Sequence, residues 1–153
     1  MPATIRVQLD DALSAGDVGV TDVPALRRLL TRAARAALRH EDVADAELSV
    51  TLLSDDAIAV LNREYLSQDG PTDVISFPLF EENESIVGDV YVGAQQAARQ
   101  AAANALSVDE ELVRLTVHGV LHVLGYDHPD GEERLHSDMW QVQEKIVEGV
   151  VRG

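Results

Sequence analysis

The sequence contains no cysteine among its 153 residues. This absence excludes disulfide bonds, thiolate metal ligands and a cysteine nucleophile, and it fits the reducing environment of the cytoplasm. No apolar stretch approaches the roughly 18 residues that a membrane-spanning helix needs. The N-terminal segment lacks a basic region followed by an apolar run, which is the pattern of a secretory signal. Together these features predict a cytoplasmic protein that does not span a membrane.

Positive charge is also scarce, because 12 Lys and Arg residues face 27 Asp and Glu residues and the net charge is −15. This charge argues against broad, non-specific binding to nucleic acid, which depends on neutralising phosphates. The densest group of basic residues lies between residues 21 and 40 and consists of Arg27, Arg28, Arg32, Arg35 and Arg39. Two interpretations of this group stay open: a solvated helix face, or a local surface that binds phosphates.

What remains is the composition of an ordinary globular domain, with 46% hydrophobic and 25% charged residues. The apolar pattern and the helix-capping residues predict a single α+β domain over residues 1–153, with a small mixed sheet of about four strands and about five helices. One face of this sheet should be more covered than the other. The predicted strands are 4–9, 46–54, 73–80 and 85–93, and the predicted helices are 21–40, 55–66, 94–106, 107–125 and 130–150.

Three of the five histidines lie within HGVLHVLGYDH, residues 118–128. His118 and His122 are four residues apart, so both imidazoles lie on one face of a helix. Gly125 suits a left-handed helix end, after which the chain can return and bring His128 toward the same ion. Three neutral imidazoles that leave a fourth position open are typical of a catalytic zinc site. We therefore predict that His118, His122 and His128 bind one Zn²⁺ ion, on a helix and the turn that follows it.

Gly119 stands where a zinc protease of the H-E-x-x-H type has its catalytic glutamate. A glycine inside a helix costs roughly 1 kcal/mol relative to alanine, so we expect another backbone or a substrate to approach closely there. Asp127 is the nearest carboxylate, and three roles are open for it: a general base, a hydrogen-bond partner of an imidazole, or a turn residue. His40 and His136 have no such sequence neighbours, and we predict structural roles for them.

With these histidines and two further segments, the sequence resembles the YbeY family of metal-dependent endoribonucleases, the rRNA maturation factors. Residues 61–78, LNREYLSQDGPTDVISFP, are similar to the family pattern L-N-x-x-Y…P-T-D-V-[LI]-S-F-P, and residues 88–92, GDVYV, are similar to G-D-[IV]-x-[IV]. The resemblance implies an α+β fold with zinc in a cleft between sheet and helix. It also implies single-strand-specific RNA cleavage in rRNA 3′-end maturation and ribosome quality control. The expected partners are single-stranded RNA, ribosomal RNA and ribosomal proteins, with no DNA and no membrane.

The sequence departs from the family at Leu66, where many members have an arginine after the tyrosine. We hypothesise that Arg63, three residues earlier on the same predicted helix, substitutes for it. Asp73 either shapes the turn into the third strand or takes part in catalysis, so no catalytic residue beyond the metal ligands is assigned. Two other functions stay open: a metalloprotease or other zinc hydrolase with Asp127 or water as base, and a non-catalytic ribosome-associated factor with a structural zinc.

Overall fold

A computed structural model describes residues 3–14, 22–127 and 137–153. In this part of the chain the elements follow the predicted order, which confirms the α+β fold class. The strands are β1 (Thr4–Leu9), β2 (Ala46–Leu53), β3 (Val74–Pro78) and β4 (Ile86–Gly93). The helices are α1 (Val23–His40), α2 (Asp55–Leu66), α3 (Ala94–Ala103), α4 (Val108–Val123) and α5 (Asp138–Arg152). None of the described helices is long and apolar enough to cross a membrane.

Capping side chains explain where four of the helices begin. The first amides of a helix have no acceptor within the helix, and Asp or Ser side chains supply one. Ser107 accepts a hydrogen bond from a backbone amide in the first turn of α4 at 3.1 Å. Asp22, Ser54 and Ser137 play the same role for α1, α2 and α5. Because Ser137 is the cap, α5 begins at the next residue, and the predicted start at residue 130 lies outside the described residues.

The four strands form one mixed sheet in the order β1-β2-β4-β3. β1 pairs with β2 in parallel and β2 pairs with β4 in parallel, whereas β3 and β4 form an antiparallel pair. A parallel pair needs a crossover connection, which α1 supplies between β1 and β2. α2 and β3 lie between β2 and β4 in the sequence. In the sheet, β4 is an inner strand that pairs with β2 on one side and with β3 on the other. The predicted mixed sheet is therefore confirmed.

The two faces of the sheet differ in how much they are covered, as predicted. One face carries Val50, Val90 and Val92, which are each 0% exposed, and α1 and α4 pack on this side of the sheet. The alternate positions point to the other face, where Ser49 donates a hydrogen bond to Asp89 at 2.6 Å. This arrangement holds α4, the helix of the histidine motif, against β3 and β4.

α3 ends at Ala103, whereas the sequence pattern predicted a helix to residue 106. The reason is that Asn104 leaves the helical conformation and Ala105 adopts a positive φ of 56°. The amide of Leu106 then donates to the carbonyl of Ala101 at 2.9 Å. This tight break lets α4 begin only a few residues after α3, so that both helices border the same space.

Candidate functional site

His118 and His122 open onto a cleft of about 690 Å³ where α4 meets β3, α3 and α5. We call this space the histidine cleft. Besides the two imidazoles, its walls carry acidic, basic and amide side chains, which come from α3, α4 and α5, from the connection between α3 and α4, and from the start of β3. The polar wall residues that matter for its chemistry are Asp73, Gln100, Glu111, Arg114, Gln143 and Glu144.

One side of α4 supplies much of the cleft wall. Glu111, Leu115, His118 and His122 line the cleft, and they are spaced at i, i+4, i+7 and i+11. Residues at this spacing lie along one side of an α-helix. The structure thus places both histidines on one face, as the sequence predicts, and adds Glu111 to them. The same helical spacing, followed from the histidines toward the start of α4, is a sequence signal that could have found Glu111.

Hydrogen bonds fix the orientation of both imidazole rings. His122 Nδ1 lies 2.9 Å from the carbonyl oxygen of Tyr126, and His118 Nδ1 lies 2.6 Å from Oε1 of Gln143. Both oxygens only accept, so each ring donates through Nδ1–H and carries its lone pair on Nε2. This tautomer is the one that an imidazole needs in order to bind a metal through Nε2.

The turn after α4 brings the carbonyl of Tyr126 to His122. Gly125 adopts a φ of 104°, a left-handed value that residues with a side chain rarely adopt. Its amide donates to the carbonyl of His122 at 3.0 Å, and the amide of Tyr126 donates to the carbonyl of Leu121 at 3.0 Å. The predicted reversal at Gly125 is therefore present, and one consequence is that the second histidine is oriented by its own turn.

Gln143 links the first histidine to a chain of hydrogen bonds between α5 and α4. Its side chain is only 1% exposed, and its Nε2 donates to Oε2 of Glu144 at 3.0 Å, which turns Oε1 toward His118. Glu144 in turn accepts two hydrogen bonds from Arg114, each at 2.9 Å. A chain of hydrogen bonds therefore runs from Arg114 through Glu144 and Gln143 to the imidazole of His118. Sequence reasoning missed Gln143 because it lies on a different helix, 25 residues after His118.

The histidine cleft is acidic. Its described lining residues include three carboxylates, those of Asp73, Glu111 and Glu144, and one guanidinium, that of Arg114. Arg114 also lies 3.2 Å from a carboxylate oxygen of Glu110 and 3.2 Å from one of Glu111. Burial raises the pKa of Glu111, and the nearby Arg114 offsets this only in part. The hydrogen bonds that Arg114 donates to Glu144 raise the pKa of the guanidinium above its usual value. These walls favour a bound cation and disfavour a phosphate alone.

Gly119 faces the sheet at the edge of the cleft. A Cβ atom at this position would overlap Cγ1 of Val90 and lie 3.1 Å from Oγ of Ser76 and 3.2 Å from Cγ2 of Val74. Ser76 Oγ donates a hydrogen bond to the carbonyl of Gly119 at 3.0 Å. We expected another backbone or a substrate to approach this glycine, and the neighbours are instead side chains of β3 and β4. A glutamate here would therefore point into the sheet and not at an ion on the histidine face.

The predicted third ligand, His128, lies outside the described residues, and so does His136. Within residues 3–14, 22–127 and 137–153, no group of three His, Cys, Asp or Glu residues is placed to hold an ion. Asp127 is exposed, and its three predicted roles stay open. His40 is outside the cleft walls at the end of α1, where its Nδ1 lies 2.8 Å from Oε2 of Glu41.

Two expectations about residues 61–78 can be compared with the cleft walls. Asp73 lines the cleft, where its Oδ2 accepts a hydrogen bond from Gln100 at 3.2 Å, and its carbonyl accepts one from the amide of Gly93 at 2.8 Å. Asp73 therefore both shapes the start of β3 and faces the cleft. Arg63 is exposed on α2, and no α2 residue is among the described residues that line the cleft. The hypothesis that Arg63 replaces the family arginine stays a prediction, and the cation among the described residues that line the cleft is Arg114.

Comparison with known proteins identifies the family. A family model described as "Endoribonuclease YbeY" matches residues 16–151. The chain belongs to this family. A protein named endoribonuclease YbeY from Pelotomaculum thermopropionicum is 46% identical over 127 residues, which cover 78% of this chain and 82% of the relative. Another of the same name from Geobacillus kaustophilus is 37% identical over 155 residues, which cover 94% and 96% of the two chains.

A solved structure supports the same conclusion for the fold. The solution structure of TM1509 from Thermotoga maritima matches with a TM-score of 0.64 and 30% identity, covering 96% of this chain and 89% of that one. The YbeY family predicted from the motifs is thus confirmed, and with it the prediction of an RNA-cleaving enzyme. In this YbeY chain, residues 74–78, 88–92 and 118–123 of the three motif segments lie on β3, β4 and α4, which pack together.

Proposed function

We propose that this chain is a zinc-dependent endoribonuclease that cleaves single-stranded RNA, and that residues 1–153 form one catalytic domain. The observation that carries the proposal is the pair of imidazoles on α4. Both rings lie in one acidic cleft, and both donate through Nδ1 and therefore have Nε2 as the metal-binding nitrogen. Family membership supplies the reaction class, and this pair of rings supplies a reason for metal dependence.

The donor set fits a zinc ion. The ring centroids of His118 and His122 are 4.6 Å apart, so the two imidazoles are close enough to share one ion. We propose that His118, His122 and His128 hold it, because neutral imidazoles suit Zn²⁺. When bound, the ion supplies a Lewis acid that stabilises the negative charge developing on the scissile phosphate.

The RNA and the cleft residues supply the nucleophile and the proton transfers. RNA carries its own nucleophile: the 2′-oxygen attacks the adjacent phosphorus while the bond to the 5′-oxygen breaks. The protein then has to accept the proton of the 2′-hydroxyl and deliver one to the leaving 5′-oxygen. Among the described residues that line the cleft, the carboxylates that serve this need are Asp73, Glu111 and Glu144, and the raised pKa of Glu111 suits it to hold a proton. Such a route does not require the glutamate that a zinc protease places after its first histidine.

The other two functions that the sequence left open fit the site less well. A zinc protease of this motif needs a base beside the first histidine, whereas Gly119 packs on Val90. A structural zinc site does not need an open cleft lined by carboxylates. We therefore propose RNA cleavage in the cytoplasm, with ribosomal RNA as substrate and ribosomal proteins as partners, in 3′-end maturation and ribosome quality control. This biological setting rests on the family alone.

A substrate comparison tests the proposed reaction. The zinc-loaded protein should cut a single-stranded RNA, and it should leave the same RNA annealed to its complement intact. DNA of the same sequence should also stay intact because it lacks the 2′-hydroxyl, and casein should not be digested. Cleavage of the DNA at the rate of the RNA would contradict the 2′-hydroxyl route, and digestion of casein would favour a metalloprotease.

Gln143 should contribute to metal binding through His118. Gln143→Leu keeps the size of the buried side chain and removes the acceptor that fixes the ring of His118. We expect the affinity for Zn²⁺ to fall about 10–100-fold, as is typical when the hydrogen-bond partner of a ligand histidine is removed. Competition with a chromophoric chelator measures this affinity without any assay of activity.

The matched control for Gln143 is Gln141→Leu, which makes the same change at an exposed position of α5. The control should bind Zn²⁺ like the unmodified protein. Equal affinities for the two leucine variants would show that the contact between Gln143 and His118 does not influence the metal.

A further inference from the structure

A second groove, with a volume of about 690 Å³, lies between α1 and α5. Its basic side chains are Arg32, Arg35, Arg39, His40 and Lys145, and we call it the basic groove. The basic groove and the histidine cleft use different sides of α5. Gln143 lines the cleft and Lys145 lines the groove, and two residues along a helix turn about 200° around its axis.

Within the described part of the chain, the arginines and the lysine of the basic groove are not neutralised, whereas His40 lies 2.8 Å from a carboxylate oxygen of Glu41. By contrast, Arg99 is paired with Asp55 and Arg114 is paired with Glu144. Four groove residues form no ion pair with any residue that the structure describes: Arg32, Arg35, Arg39 and Lys145. Cations grouped in this way repel one another, and a bound polyanion relieves that repulsion. Their grouping is notable in a chain with a net charge of −15.

We infer that the basic groove binds the phosphate backbone of the RNA substrate outside the histidine cleft. The inference rests on the proposed function and adds the surface that holds the substrate. The described residues that line the cleft include three carboxylates and one guanidinium. The cleft walls therefore repel the phosphates of the RNA strand that the enzyme cleaves. Affinity in such an acidic protein has to come from a local basic surface, and the groove between α1 and α5 provides one.

The groove also divides the arginines of α1 into two sets. Arg32, Arg35 and Arg39 line it, whereas Arg27 and Arg28 are exposed on the same helix and do not line it. This division offers a matched control. Arg27→Glu combined with Arg28→Glu changes the net charge by the same amount as Arg32→Glu combined with Arg35→Glu, and only the second pair alters the groove.

The test measures binding of labelled 2′-O-methyl oligouridylates of increasing length, by fluorescence anisotropy over a range of salt concentrations. Integrity of each oligomer is checked on a gel afterwards. For oligomers long enough to reach both the cleft and the groove, the Arg32 and Arg35 double variant should bind about tenfold more weakly. Its slope of log affinity against log salt should fall by about 0.7 for each phosphate that the altered groove no longer neutralises. The Arg27 and Arg28 control should keep the original slope.

Equal slopes for the two double variants would overturn the inference. Sedimentation of the unmodified protein as a dimer that the Arg32 and Arg35 changes dissociate would also overturn it, because the groove would then hold a second copy of the chain. Lys145→Gln alters the groove from α5 and should weaken binding of the long oligomers in the same direction. If the double variant is unstable, this single change decides the question.

The proposed function and the groove can fail separately in these experiments. Binding is measured on oligomers that remain intact, so an absence of RNA cleavage would count against the proposed function only. Groove variants that bind long oligomers like the unmodified protein, in an enzyme that does cleave RNA, would count against the groove only.

Discussion

Gly119→Glu should prevent stable folding and should not create a peptidase, although it gives α4 the H-E-x-x-H sequence of a zinc protease. The Cβ atom alone would overlap Val90, which is 0% exposed. Forcing a carboxylate into that contact adds the burial of a charge, which costs several kcal/mol. Domains of this size have only about 5–15 kcal/mol of stability, so most of the variant should be unfolded or aggregated. Circular dichroism and thermal melting measure the outcome, and a well-folded variant would contradict the packing described for Gly119.

Smaller substitutions isolate the steric cause. Gly119→Ala should lower the free energy of unfolding by about 1–3 kcal/mol through overpacking, even though alanine is the better helix former. Val90→Ala removes the methyl group that the new Cβ would strike, and alone it should cost about 2–3 kcal/mol. Because the second change makes room for the first, we expect a favourable coupling of about 0.5–3 kcal/mol in the double variant. Strictly additive losses in urea unfolding would show that Val90 is not the obstacle.

Alanine at any one of the three motif histidines should remove most of the bound metal. His118→Ala and His122→Ala each delete a nitrogen donor, so the loss in Zn²⁺ affinity should exceed the roughly 10–100-fold expected for a hydrogen-bond partner such as Gln143. His128→Ala should have the same effect, as the spacing of the motif predicts. Cleavage of single-stranded RNA should fall with the metal content, and both are measured on the same preparations.

The other two histidines are the controls for this series. His40→Ala should leave the metal content unchanged, because His40 contacts Glu41 and does not line the histidine cleft. His136→Ala should behave in the same way if His136 has the structural role that the sequence predicts. If His136 proved as necessary for metal binding as His128, the assignment of the third ligand would be wrong.

The positions of the elements were predictable because their signals are local. β1 and α2 have the bounds that the sequence pattern predicts, and Ser54 and Ser107 cap helices through contacts only three residues away. The order of the strands was not predictable in this way. It depends on pairs such as Leu48 with Gly88, which lie far apart in the sequence and meet only when the helices are packed.

The candidate site shows the same division between local and distant contacts. The pairing of His118 with His122 follows from a four-residue spacing on one helix. Gln143 could not be found by spacing, because its contact with His118 depends on how α5 packs against α4. Gly119 was predictable in part. A glycine inside a helix indicated a close neighbour, but only the packing of α4 on β4 identifies Val90 as that neighbour. The sequence shows that the arginines of α1 are grouped. Which of them line a groove depends on where α5 packs against α1.

Stepwise removal of the metal tests most directly whether an ion held by the histidines of α4 is required for RNA cleavage. The zinc-loaded protein is titrated with a chelator, and metal per chain, cleavage of single-stranded RNA and circular dichroism are measured on each sample. We predict that cleavage falls in proportion to bound metal, that the circular dichroism stays unchanged, and that added Zn²⁺ restores activity. Undiminished cleavage by metal-free protein would contradict this claim, and unfolding in step with metal loss would show that the zinc is structural.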